Sequence, residues 1–254
     1  MLSLRARRAI PLYFSCLTAF TSIPTLADNT LFTAMDDPST AKKPFDGNIQ
    51  AGYNAQSGNS QNSTLLANTT MTWFNNDAAY SLWGAANNST SSNVRSSERY
   101  QASGRTRQNL TSRNYMFGQA GWLNDRFNGY NSRTTVTGGY GRQIFNGSLH
   151  DLRVEFGPGV RHDEYRGGGR STRALAYGAA NYSYRLTDNA RFSEGLSALA
   201  NDETTINSET ALNVSINNDF SLRLAYTVTY NSKPPASAPK NTDTTTSVTL
   251  VYGL

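Results

Sequence analysis

The chain has 254 residues and carries 23 Lys and Arg against 18 Asp and Glu, yet only 37% of it is hydrophobic, and Asn, Ser, Thr and Gly recur throughout. A soluble core of ordinary size is hard to build from that, while 14 Tyr, 11 Phe and 3 Trp are too many aromatics for a disordered chain. An outer-membrane β-barrel reconciles the two, because only one residue in two meets lipid and the interior is polar.

The N-terminus supplies an address. Arg5, Arg7 and Arg8 precede a short apolar run, Ala9 to Phe20, and Thr25-Leu26-Ala27 forms a small-residue exit. This predicts a cleaved secretory signal over residues 1–27. A membrane anchor needs about 18 or more apolar residues, and here Pro11, Ser15, Thr18, Ser22 and Pro24 interrupt the run. Removing the signal leaves 20 basic residues against 18 acidic, a net charge of +2 instead of +5. The sequence pI of about 9.3 is therefore no footprint of nucleic-acid binding, and no nucleic-acid partner is expected. Cys16 leaves with the signal, so the mature chain has no disulfide, thiolate nucleophile or Cys-ligated metal.

Residues 28–45 contain Pro38 and Pro44, show no periodicity and read as a periplasmic lead-in with little structure. From 46 to 254 the chain divides into twelve strand-like segments: 46–57, 63–75, 78–89, 98–109, 113–124, 130–144, 149–163, 173–185, 190–201, 204–217, 220–231 and 242–253. Alternate joints are tight, as at Asn75-Asn76-Asp77, Asn146-Gly147-Ser148, Thr187-Asp188-Asn189 and Asn217-Asn218-Asp219, where Asn and Gly suit the positive φ of hairpin turns. Most of the others are longer. Tight turns on one rim and long loops on the other is the asymmetry of a transmembrane up-and-down antiparallel barrel, and an even strand count puts both termini in the periplasm. Trp73, Phe145, Tyr184, Phe220 and Tyr252 lie near the tight turns, and Trp122, Tyr130 and Tyr230 near the longer loops, which predicts two interfacial aromatic girdles. The last hairpin shows the alternation most clearly, with Phe220, Leu222, Leu224, Tyr226, Val228 and Tyr230 on one face.

The opposite parity lines the lumen. It carries Arg99, Arg105 and Arg107 on the fourth segment, Arg153, Glu155 and Arg161 on the seventh, and Arg223 on the eleventh. One reading is an anion-favouring interior or constriction. The other is that Arg and Glu pair across the lumen and plug it, since charges in low dielectric need partners. Catalytic chemistry has little to stand on. His150 reads as a solvated rim residue beside a tight turn, and His162, near the outer rim with Asp163, Glu164 and Ser171, has no nucleophile signature around it. As neighbouring strand residues, His162, Asp163 and Glu164 point to opposite faces, a poor metal set. Gly167-Gly168-Gly169 reads as a loop tip, and neither a cofactor nor a metal is expected.

Several short motifs, in order, are similar to one known family. They are Gly52-Tyr53 with Ser57-Gly58-Asn59, Asp125-Arg126-Phe127, Gly157-Pro158-Gly159-Val160-Arg161, and Tyr230-Asn231-Ser232 with Pro234-Pro235 and Asp243-Thr244. From about Phe45 onward the chain resembles the salt-induced outer-membrane protein family typified by YdiY, a domain of unknown function. The resemblance implies an outer-membrane β-barrel and leaves the activity open. Barrel proteins commonly end in an aromatic read by the insertion machinery. This chain ends in Leu254, with Tyr252 keeping the pattern two residues earlier. The function expected is an envelope or stress-response barrel, a passive pore for ions or small solutes. A plugged structural barrel serving envelope integrity or surface contact is the alternative, and an outer-leaflet lipid-modifying enzyme a third. Expected partners are outer-membrane lipid, lipopolysaccharide and the insertion machinery acting on the C-terminal strand, with the barrel a monomer.

Overall fold

Alternation at a period of two becomes twelve strands in a computed structural model, which describes residues 35–56, 62–91, 94–125, 129–233 and 241–254. The expected signal, the start of the lead-in, and the motif positions Ser57 to Asn59, Arg126, Phe127, Pro234 and Pro235 lie outside the described residues. The strands are β1 (Phe45–Gln56), β2 (Asn62–Asn75), β3 (Ala78–Ser91), β4 (Val94–Asn109), β5 (Asn114–Asp125), β6 (Tyr130–Asn146), β7 (His150–Tyr165), β8 (Arg170–Arg185), β9 (Ala190–Ala200), β10 (Thr205–Ser215), β11 (Phe220–Asn231) and β12 (Thr242–Gly253). Each pairs with the next and β12 returns to β1, giving a closed antiparallel barrel, as the sequence predicts. The main differences in boundary are β4 and β8, which start at Val94 and Arg170 rather than 98 and 173. Apart from Val94 their first residues are polar on both parities, so no alternation marks them.

The faces are inverted relative to a soluble protein. Phe156 on the outside is 62% exposed, whereas Arg161 on the inside is 1% exposed. Ile49, Leu82, Trp122, Val136, Leu196, Leu222, Leu224, Val248 and Leu250 make the outer belt. The tight turns use local side-chain bonds. Asn217 Oδ1 accepts from the backbone N–H of Asp219 and Phe220 at 2.9 and 2.8 Å, and Asn76 takes a positive φ of 45°. The seam between β1 and β12 runs over four paired positions, from Asn48 opposite Gly253 to Ala51 opposite Leu250.

Two register shifts on β6 bear on the interior, between Tyr130 and Ser132 and between Gln143 and Phe145. The first reverses the parity of Tyr130. Between them β6 and β7 approach closely: a Cβ on Gly157 would lie 2.1 Å from the carbonyl oxygen of Gly138. Only glycine fits there, which gives the Gly157-Pro158-Gly159 motif a packing reason.

Candidate functional site

The interior is filled unevenly. On the β4 to β8 side, side chains bridge the lumen. Arg105 on β4 donates to Glu155 on β7, three strands away, and at 2.7 Å to Gln119 Oε1 on β5. Glu155 also accepts from the hydroxyls of Tyr115 at 2.8 Å and Tyr177 at 3.3 Å. Tyr115 reaches it by lying over β6, where a Cβ on Gly141 would come within 2.3 Å of the ring. Phe117, Leu175 and Leu199 pack beside Tyr115 and Tyr177 as the barrel's buried apolar cluster. Glu155 and Arg105 are thus both buried and both hydrogen-bonded, the condition under which a buried pair holds together.

Toward the long-loop rim lies a second network. Arg133 Nε donates to Asp163 at 2.6 Å, Arg161 sits 3.3 Å from Asp163 and 3.2 Å from Glu203, and Arg173 sits 3.0 Å from Glu203. Glu203 lies between β9 and β10, so a connection closes over the lumen here. Arg99 pairs with Asp125 at 3.7 Å on the same level.

At the tight-turn rim the end of the lead-in enters the barrel. The carbonyl oxygen of Met35 accepts from Arg107, at 3.2 Å, and from Arg153, while Asp36 lies 3.1 Å from Arg153. Asp37 caps the short 3-10 turn Pro38–Thr40 through the N–H and hydroxyl of Ser39, and accepts from Asn109 Nδ2 at 2.7 Å. Burial pushes the Asp37 carboxyl up. The hydrogen bonds from Asn109 and Ser39, with the Arg107 charge 3.5 Å away, outweigh that and hold it below the usual value of 3.8. From Met35 on, the lead-in is therefore not the featureless stretch its composition suggests.

The β1 to β3 and β10 to β12 side is open. A cavity of about 300 Å³ is lined on this side by Asn48, Gln50, Asn68, Thr70 and Trp83, and across from them by Asp151, Arg153, Asn181 and Ser193 on β7 to β9. A narrower one of about 90 Å³ follows toward the long-loop rim, lined by Asn87, Arg99, Thr227 and Thr249 among others. Gln50, Asn68, Trp83, Glu209 and Arg223 belong to both, which places the two cavities in series along the axis. Arg223 is held by Glu209 at 2.5 Å and by Asn213 at 3.1 Å.

Of the arginines and carboxylate singled out from the sequence, Arg99, Arg105, Arg107, Arg153, Glu155 and Arg161 are buried inside the barrel, and Arg223 faces the open half. Arg105 and Glu155 meet directly; Arg161 belongs to the separate outer network. Among the aromatics, Trp73, Phe145, Phe220, Tyr252, Trp122 and Tyr230 are exposed on the outer surface. Tyr184 lies against His150 with ring centroids 4.8 Å apart and the planes tilted by 30°. Tyr130 corrects the girdle: it is 5% exposed, inside, with the Arg133 guanidinium 4.0 Å over its ring, because the register shift beside it turns it inward. His162 faces out and bonds Thr172 Oγ1 at 2.7 Å, while Ser171 accepts from Arg173. Trp83, Tyr115, Tyr177, Arg133 and Glu203 were not anticipated. For the four strand residues the sequence signal was parity, which Trp83 shares with Ser81 and Asn87, while Glu203, in a connection, carried none.

A family model described as "Protein of unknown function, DUF481" matches residues 49–254. The chain belongs to this family. The "Uncharacterized protein YdiY" of Escherichia coli (strain K12) is 54% identical over 235 residues, 92% of this chain and 93% of that protein, which bears out the resemblance read from the motifs. Among solved structures, an outer membrane channel from Pseudomonas putida F1, described as COG4313, superposes with a TM-score of 0.51 at 7% identity, covering 82% of this chain and 94% of that one. The translocator domain of the autotransporter NalP from Neisseria meningitidis gives 0.47 at 14% identity over 85% of this chain and 90% of that one. The closed twelve-strand barrel and its superposition on the Pseudomonas putida channel give the DUF481 chain a fold of the outer-membrane barrel type.

Proposed function

We propose that this DUF481 barrel is a passive, non-enzymatic outer-membrane pore for small polar solutes, with its pathway along the open half of the lumen. The observation that carries the reading is the pair of cavities in series, joined by Gln50, Asn68, Trp83, Glu209 and Arg223, beside a half in which charges and tyrosines are cross-bonded. A pore needs a polar lining and room beyond its own side chains, and the open half has both. In this reading residues 1–27 are a cleaved signal, the tight turns and both termini face the periplasm, the long loops face outward, and lipid and lipopolysaccharide surround a monomer. The insertion machinery engages β12 through Tyr252.

Planar-bilayer recording of the purified, folded chain tests it. Discrete current steps are expected, and Ala85→Trp or Ala225→Trp, which fill the narrower cavity, reduce them. Absence of any current from folded wild type overturns the pore. A second reading, the plugged structural barrel, is supported by residues Met35 to Asp37 seated on Arg107 and Arg153. It predicts no current from wild type and none after Asp37→Ala.

A further inference from the structure

The open half differs from the packed half in chemistry as well as in space. Resting on the pore reading above, its lining also specifies a solute class. Arg223 is neutralised by Glu209 at 2.5 Å, and Arg153 by Asp151 and Asp36, each at 3.1 Å, so both arginines of the wider cavity are already paired and offer little field to select an anion. What remains is amide and hydroxyl. Asn48, Gln50, Asn68 and Asn181 each offer a donor and an acceptor, the dual character that matches a hydroxyl group.

Two further observations narrow the class. Asn68 Oδ1, Asn87 Oδ1 and Thr249 Oγ1 are buried, have no hydrogen-bond partner among the described residues, and belong to residues lining the narrower cavity. Buried polar atoms are satisfied in nearly every folded protein, so a turn of these side chains toward a donor in the adjoining cavity is favoured. Trp83 sits where the two cavities meet, with its indole offering a flat apolar face among these amides. A hydrated ion has no use for such a face. A sugar ring does, because its C–H faces are apolar and its rim carries hydroxyls. The wider cavity, about 300 Å³, is at the lower end of the ~300–1,000 Å³ typical of small-molecule sites.

We infer that the open half of the lumen binds uncharged polyhydroxylated rings of the mono- and disaccharide class, with Trp83 stacking on the ring and Asn68 and Asn87 accepting from its hydroxyls. The test uses the full, folded chain in planar bilayers, with glucose, maltose and sodium gluconate as probes. Glucose and maltose are expected to reduce the current saturably, beyond the fall in bulk conductivity, and gluconate to do so no better than glucose. Trp83→Ala raises the half-blocking sugar concentration by about two- to tenfold, the equivalent of one aromatic stacking contact, and its unblocked current rises because the indole has left the passage. Current with no saturable sugar block, block by gluconate alone, or an unchanged response of Trp83→Ala overturns the inference. If Trp83→Ala does not fold, Trp83→Phe and Asn68→Ala carry the same comparison. If wild type passes no current the pore reading fails, and tryptophan emission then decides binding separately. A glucose-dependent change lost in Trp83→Phe supports the site, and no change in wild type overturns it.

Discussion

Glu155→Gln tests whether half of this lumen is a dry core. The substitution keeps the shape of the side chain and removes its charge, leaving Arg105 buried with only neutral partners such as Gln119 among the described residues, and forcing an amide N–H toward Tyr115 or Tyr177. Removing one member of a buried ion pair costs about 3–5 kcal/mol, because the other charge stays desolvated. With a urea dependence of ~2 kcal/mol/M, the unfolding midpoint falls by about 2 M. The control is Glu209→Gln in the open half, where Arg223 and Glu209 each keep 20% of the side chain exposed. Water screens that pair, so its loss costs ~1 kcal/mol or less, about 0.5 M. Urea unfolding of both variants from detergent micelles, followed by tryptophan emission, makes the comparison. Equal shifts would refute the division of the lumen into packed and open halves.

The seated segment at the tight-turn rim gives a pH dependence. Because the seated Asp37 carboxyl titrates below its usual 3.8, seating is fully favoured above that value and is lost as pH falls through the lowered one. Pore current should therefore rise on acidification from pH 5 toward pH 3, and Asp37→Asn should abolish the change; a current that falls over that window contradicts the seating. Gly157→Ala, whose new Cβ meets the Gly138 carbonyl oxygen at 2.1 Å, should cost ~1–3 kcal/mol by overpacking. Gly167→Ala, which meets nothing within 4 Å, should change urea stability by less than ~0.5 kcal/mol. Glu194 sits on the outer face, accepting from Ser208 at 2.9 Å and Thr210 at 2.5 Å. If that face meets lipid, Glu194→Leu stabilises the barrel by about 1 kcal/mol in the same urea assay; a loss of that size would place the face elsewhere.

The strands were legible because lipid imposes a rule at every second residue. Phe220, Leu222, Leu224 and Tyr226 cannot alternate with Ser221, Arg223, Ala225 and Thr227 by any other arrangement so economically. The interior follows no such rule. Arg105 and Glu155 are 50 residues apart and meet across a chord of the barrel. Nothing local in the sequence selects that partner over Glu98 or Asp163. Tyr130 was misplaced for a related reason, since a single register shift reverses parity and leaves no mark in composition. The seating of Met35 and Asp37 was invisible because a non-periodic segment carries no signal of where it docks.

The division of the lumen nevertheless has a compositional origin. Inward positions of β4 to β8 carry Arg105, Arg107, Tyr115, Phe117, Arg133, Arg153, Glu155 and Tyr177, side chains long enough to reach across and meet. Those of β1 to β3 and β10 to β12 carry Asn48, Gln50, Asn68, Ala85, Ala225, Ser247 and Thr249, with Trp83 and the Glu209–Arg223 pair the larger exceptions. Short side chains cannot span the interior, so the space on that side stays open whatever the register. A twelve-stranded barrel has little room once its inward side chains are placed. Concentrating the long ones on one side fills that side with bonded pairs and leaves one continuous polar strip on the other. Such a strip suits a solute that slides along a wall, with Trp83 as the single broad surface on it.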